Sequence, residues 1–346
     1  MTKENKMEIE HRKEFVFYYE SRQNPNGDPG FENQPRVMPD GTILVTDVRV
    51  KRTIRDYAKT QKGQTLFVDC NDNGEVVGAG ERATEIVEKS KMPEKGDIIK
   101  VLLNETFDAP LFGGLVTIKA GKKGSKKKAG TAPKEAESAS DGASEEETGQ
   151  EGDSAKLTGP VQFSLGRSTN RVQIINPSIT SRFSGATKGE TTIGKFFSVE
   201  YALIKFQGVV NPANLARYWS DNGVKDKFHE KEAMLFDCLW NGTNGLVSRS
   251  KFPQRSVFYV EVTYKDRKMY NDLPMRIQED AAAKGKDLKE LPKNPFKLDE
   301  LVRVLGERKA SVLKVRIAGC EELAKTVSEL ANQLKAKGID AEEIKC

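Results

Sequence analysis

Lys51, Arg52, Arg55 and Lys59 stand close behind a loop, Arg22-Gln23-Asn24-Pro25-Asn26-Gly27-Asp28-Pro29, that is rich in amide side chains and turn residues. Cations neutralise phosphates, and amide side chains and backbone N–H groups bond phosphate and sugar oxygens without reading base identity. A glycine lets the main chain come close to such an anion. The chemistry open to these residues is the holding of a polyanion. Asp28, and Asp40 further along, could do something different by assisting cleavage of a phosphodiester. A lone aspartate beside a glycine is more often a turn residue, because its carboxylate bonds the main chain two residues on.

Little else in the chain could do covalent chemistry. His11 and His229 are the only histidines, and the four cysteines, Cys70, Cys238, Cys320 and Cys346, include no CxxC pair. A zinc site, a Cys/His nucleophile pair and a disulfide framework therefore have almost no material. No catalytic residue, no metal and no cofactor is expected.

The cations need a helix to aim them. At ~100° per residue, a helix beginning near Thr46-Asp47 gathers Val50, Thr53, Ile54, Tyr57 and Ala58 on one side and projects Lys51, Arg52, Arg55 and Lys59 from the other. A basic face is also how an ordinary helix meets water. What distinguishes this one is its place after the apolar strand Phe15 to Tyr19 and the polar loop, with Asn33-Gln34-Pro35-Arg36 between them. Strand, loop and helix point at one partner.

The chain has 346 residues, 37% of them hydrophobic, which is enough for a large core. No apolar run reaches the ~20 residues of a membrane span. The charged first thirteen residues lack the apolar core of a signal peptide, so a cytoplasmic protein with no membrane partner is expected. Net charge is +5, yet Gly121 to Ser154 holds six lysines against eight acids, a local −2 that leaves +7 on the rest. That balance favours an anionic partner. From 121 to 155 the composition falls to little beyond Lys, Gly, Ser, Ala and Glu, too apolar-poor to offset its ordering entropy, and a flexible insertion is expected.

Along the rest of the chain the spacing predicts a helix over Gly80 to Lys91, a strand from Val161 to Leu165, and a long hairpin from Asn176 to Lys195. A strand from Phe196 to Val210, a helix from Asp226 to Trp240 and a strand from Val257 to Tyr264 follow. Val312 to Ile317 and a helix bearing Leu323, Val327, Leu330 and Leu334 read as a C-terminal βα addition. With the strand Phe15–Tyr19 and the helix Asp47–Lys59, the order is β-α-β-β-α-β. The fold class expected is α+β, a ferredoxin-like or RRM-like sheet with residues 62–156 inserted after the first helix.

Particular residues also resemble a known family. Arg22-x-Asn24-Pro25-Asn26-Gly27-Asp28-Pro29, Asn33-x-Pro35-Arg36, Thr46-Asp47-Val48-x-Val50-Lys51-Arg52-x-Ile54-Arg55-Asp56-Tyr57, Gly159-Pro160-Val161-Gln162-Phe163 and Arg249-x-Lys251 are similar to the repeated backbone subunit of type I CRISPR Cascade complexes, closest to subtype I-B. The resemblance runs from about Phe15 to Tyr264 and takes in neither 121–155 nor the C-terminal part.

The resemblance implies a single hand-like domain. Its RRM-like palm would comprise 12–61 and 157–264, its helical fingers 62–156, its protruding thumb hairpin about 176–195, and a βα extension of the palm 265–346. Copies would stack along CRISPR guide RNA beside other Cascade subunits, and the guide would pair with target DNA in antiviral defence. Arg22, Asn24, Asn26, Arg36, Lys51, Arg52, Arg55, Arg167, Arg249 and Lys251 would line the RNA, with Arg182 and Phe183 on the thumb. The related type III backbone subunits cut RNA with an aspartate in the loop after the first strand, and Asp28 is the residue here that an RNA-cleaving alternative would use. An RNA-processing endonuclease of the same superfamily would want a His or Tyr base near the groove, and His11 and His229 are poorly placed for it.

Overall fold

β1 (Arg12–Ser21) carries an unbroken apolar run, Phe15-Val16-Phe17-Tyr18-Tyr19, where a strand with one wet face would alternate. The computed structural model describes residues 11–91, 97–119, 152–181, 192–220, 223–265, 268–285 and 288–345, and it places β1 inside a sheet covered on both faces. Phe15, Phe17 and Tyr19 pack into one core, Val16 and Tyr18 into the other.

After β1 come β2 (Gly27–Asp28), β3 (Gln34–Val37), β4 (Ile43–Val45) and α1 (Asp47–Lys62). Across the sheet the order is Ala341–Glu343, Val312–Gly319, Gln254–Tyr264, β1, Ala202–Val210, Gly166–Ser168, β4, β3 and β2, and Val161–Phe163 also pairs with Ala202–Val210. Every pairing in it is antiparallel except that of Val312–Gly319 with Ala341–Glu343. The strand expected from Val161 to Leu165 is thus two short strands on one neighbour, and the strand expected from Phe196 enters this sheet only at Ala202.

The apolar stripe of α1 is buried as its spacing requires, with Val50, Thr53, Ile54 and Ala58 inside and Gly63 (φ +63°) ending the helix in the left-handed conformation. Its partner is the helix Val224–Asn244, longer by several residues than the expected Asp226 to Trp240. Gly242 lets the two approach: a Cβ there would lie 3.1 Å from the Tyr57 Cβ and 3.2 Å from the Thr53 carbonyl oxygen.

Region 62–156 contains helices Ala79–Lys89, Ile98–Glu105 and Ala109–Phe112, then the antiparallel pair Gly113–Lys119 and Gly152–Thr158. Residues 152–155, expected to belong to a flexible insertion, are therefore strand. The remainder of that expected insertion, 121–151, lies outside the described residues.

The C-terminal part does more than append a strand and a helix. Leu273, Ile277, Phe296, Leu301 and Leu305 lie in the second core, over Tyr18 and Phe258. The Phe296 ring centroid sits 4.6 Å from that of Tyr18 and 5.0 Å from that of Phe258. Glu14 of β1 fastens this cover by accepting bonds from the Tyr270 and Asn271 amides at 2.5 and 2.8 Å. Burial pushes the Glu14 carboxyl above its ordinary value, an effect these two bonds oppose. The aromatic rings of this face are consequently closed to any ligand. Among the described residues no helix is long and apolar enough to cross a membrane.

Candidate nucleic-acid interface

Three loops meet where β1 ends, because Ser21 is paired with Ala202 on one side and with Gln254 on the other. The loop leaving β1 docks on the one entering Gln254: the Asn24 amide donates to the Ser250 carbonyl at 3.0 Å and the Arg22 amide to that of Pro253 at 3.4 Å. Inside the first loop the buried Asn24 donates from Nδ2 to the Asn33 carbonyl at 2.5 Å. A Cβ on Gly27 would stand 2.7 Å from that same oxygen, so the tight turn requires glycine. Glu32 and Asn33 take the left-handed region at φ +50° and +58°. Lys195, at the base of the strand pair Ser178–Ser181 and Thr192–Lys195, holds Glu32 at 3.0 Å and brings that hairpin to the same end of the sheet.

Both loop aspartates are occupied by turn chemistry. Asp28 accepts from the Gly30 amide at 3.0 Å and has Arg36 at 3.4 Å. Asp40 accepts from the Thr42 amide and hydroxyl at 3.0 and 2.6 Å and pairs with Arg167 at 2.8 Å. These bonds, the Thr42 hydroxyl first, hold the Asp40 carboxyl below its usual value. Other polar groups nearby lack such service. Among the described residues Ser21 Oγ, Gln23 Oε1, Asn24 Oδ1 and Asn26 Nδ2 are buried with no hydrogen-bond partner, an arrangement that favours a polar ligand.

The charges sharpen this picture. Arg49, in the first turn of α1, is half-buried and bonds Thr53 Oγ1 at 2.9 Å, and among the described residues no carboxylate lies within ion-pair distance. Lys251 is likewise half-buried, with the Ser250 hydroxyl at 3.2 Å and, among the described residues, no acid within ion-pair distance. Burial, and then the positive charge of Arg49, push the Lys251 ammonium down from its ordinary value. Burial depresses Arg49 too, with Arg52 adding to the effect while Tyr19 and Asp56 oppose it. Two like charges held together in partial burial are unfavourable unless an anion joins them.

Residues 11–295 match the family CRISPR-associated protein Cas7. The chain belongs to the Cas7 family. A curated relative, CRISPR-associated protein Cas7 from Haloferax volcanii, is 26% identical over 277 residues, covering 74% of this chain and 71% of the relative. In fold the chain resembles a solved chain of a CRISPR RNA-guided surveillance complex, pre-nicking, with TM-score 0.50, 12% identity and 96% of each chain covered.

In this Cas7-family chain the residues expected from the sequence do not form one cluster. Asn24, Asn26, Arg249 and Lys251 gather at the end of β1, where Arg249 lies 5.8 Å over the Phe196 ring. Arg22 starts the loop but turns toward the C-terminal part, bonding the Lys289 carbonyl at 2.5 Å and lying 5.2 Å over the Tyr201 ring. Arg36 and Arg167 stand opposite Leu44 on the two flanking strands, and Arg167 opposite Lys205, which itself faces Tyr18. This row lies on the face of the sheet opposite α1.

On α1 the expectation of one free basic face needs correction. Lys51 pairs with Asp47 at 2.9 Å, Arg52 with Asp56 at 2.7 Å and Lys59 with Asp69 at 2.5 Å. Arg55 is not on the surface at all: it is 8% exposed, bonded at 2.7 Å to the fully buried Asp108, and packed 5.1 Å over the Phe112 ring. The inserted region covers that flank. Arg182 and Phe183 lie outside the described residues. Arg49 is the residue that sequence reasoning missed, although its spacing places it one turn before Arg52 and Thr53.

Proposed function

We propose that this Cas7-family chain is the repeated, non-catalytic backbone subunit of a type I surveillance complex of the I-B kind. It lines a CRISPR guide RNA whose bases pair with target DNA, beside further copies of itself and other Cascade subunits. The half-buried, acid-free pair Arg49 and Lys251, next to the unpartnered polar atoms of the Asn24 loop, carries this reading. A phosphate would supply the charge that the pair lacks and acceptors for donors such as Asn26 Nδ2.

Strand order supports an RRM-like palm, since Gln254–Tyr264, β1, Ala202–Val210 and the short strands 161–168 lie side by side with α1 and Val224–Asn244 on one face. On that plan 62–156 are the fingers and the strand pair Ser178–Ser181 and Thr192–Lys195 belongs to the thumb. Because the C-terminal part covers the other face over β1, RNA runs across the end of the sheet rather than stacking on its aromatic rings. Sequencing the RNA that co-purifies from the native host tests the assignment. Repeat-derived guides are expected, and random cellular RNA would overturn it.

The non-catalytic part has its own test. Asp28 is committed to the Gly30 amide and Arg36, so the unaltered chain and Asp28→Ala should both leave bound RNA intact during prolonged incubation. Cleavage by the first that is abolished in the second would establish the RNA-cutting alternative instead.

A further inference from the structure

Some of the large apolar side chains that remain exposed lie on the segments around this cleft. Phe31 lies on the first loop, Val37 ends β3, Val48 is in the first turn of α1, and Val247 and Phe252 flank Arg249 and Lys251. Of these, Phe252 is the most firmly presented. Its ring is 56% exposed, yet its amide and that of Lys251 both donate to the Ser248 carbonyl, at 3.1 and 3.2 Å. The turn is clamped further by the Asn24–Ser250 and Arg22–Pro253 bonds. A rigid aromatic ring held in water beside a phosphate-seeking lysine has little to gain from the fold itself.

Duplex and single strand differ in what they could offer this ring. In a helix the bases are already stacked on each other, whereas an unpaired strand exposes π-faces that any aromatic side chain can take up. Phosphate cations and an exposed ring on consecutive residues fit the second case. Resting on the RNA-lining role proposed above, we infer that Phe252 is a stacking platform for one unpaired base of the strand whose phosphate Arg49 and Lys251 hold. The site then prefers single-stranded over paired RNA with little regard to sequence, since every base has a π-face.

The test uses the full chain, a labelled unstructured RNA and a duplex of the same sequence. Phe252→Ala should weaken single-strand binding by about 5- to 100-fold and leave duplex binding unaltered. The slope of log affinity against log salt should stay the same, because no ion pair is lost. Phe252→Leu, which keeps the apolar bulk without the ring, should lose most of the same affinity. Phe252→Trp should retain it and show fluorescence quenching by single-stranded RNA beyond that of the unaltered chain with Trp219 and Trp240. Equal losses on single strand and duplex would make Phe252 a mere support of its loop and overturn the inference. If Phe252→Ala binds like the unaltered chain while Arg49→Gln with Lys251→Gln does not, the platform fails and the phosphate site stands. If neither variant loses affinity, the RNA-binding role of the cleft fails with it.

Discussion

Asp108→Ala should lower the melting temperature by on the order of 10 °C or abolish cooperative unfolding. Asp108 is fully buried and accepts three bonds, from Arg55 Nε at 2.7 Å, the Phe67 amide at 2.7 Å and the Val68 amide at 3.0 Å. Losing it strands a buried guanidinium, which costs about 3–5 kcal/mol. Each orphaned amide adds about 1–3 kcal/mol, against a total stability of roughly 5–15 kcal/mol. Asp108→Asn retains an acceptor and should do less harm. Because the pair is buried, added salt should not mask the loss. A melting temperature within two degrees or so of the unaltered chain would show that α1 and region 62–112 are held together by something else.

Arg49→Gln with Lys251→Gln should do the opposite to stability and far more to binding. Among the described residues neither cation has an acid within ion-pair distance, so removing two mutually repelling, partly desolvated charges should leave the melting temperature unchanged or raise it. RNA affinity should fall about a hundredfold or more, at about 1.5–3 kcal/mol per charge-assisted bond. If the two share one phosphate, the salt slope flattens by about 0.7. The pH dependence follows from Lys251. Its ammonium titrates below an ordinary lysine in the free chain, and a bound phosphate raises it again, so binding takes up a proton. Affinity should therefore fall as pH rises through the free-state value, and Lys251→Gln should flatten that fall. An affinity of the Lys251 variant that tracks the unaltered chain across pH would place the titrating group elsewhere.

How much of this was legible from the residues depended on whether the deciding contact was local. The run Phe15 to Tyr19 could only be an interior strand, and the stripe Val50, Thr53, Ile54, Ala58 could only be a buried helix face, because strand and helix periods are local geometry. The polar loop announced its turn through Asn, Pro and Gly, and the closeness of Gly27 to Asn33 bears that out. Arg55 was misread because its partner Asp108 is far along the chain, in a region whose packing on α1 has no periodic signature. Arg49 was overlooked for the converse reason. What distinguishes it from Lys51 and Arg52 is the lack of a carboxylate, and a wheel of side chains shows neither which acids will fold back nor that Lys251 arrives beside it. The cover over Tyr18 and Phe258 was likewise hidden, since Phe296 and Leu301 give no sign of the face on which they settle.

On the proposed function, guide RNA runs through the cleft formed by the Asn24 loop, the first turn of α1 and the Arg249–Lys251 turn. Photo-cross-linking of the RNA-loaded chain, with peptides identified by mass spectrometry, addresses it most directly. Cross-links are expected within 22–33, 46–52 and 247–253, with Phe252 among the modified residues. Cross-links confined to Val312–Glu343 and the helix Asp299–Glu307, with none in those three segments, would contradict the account.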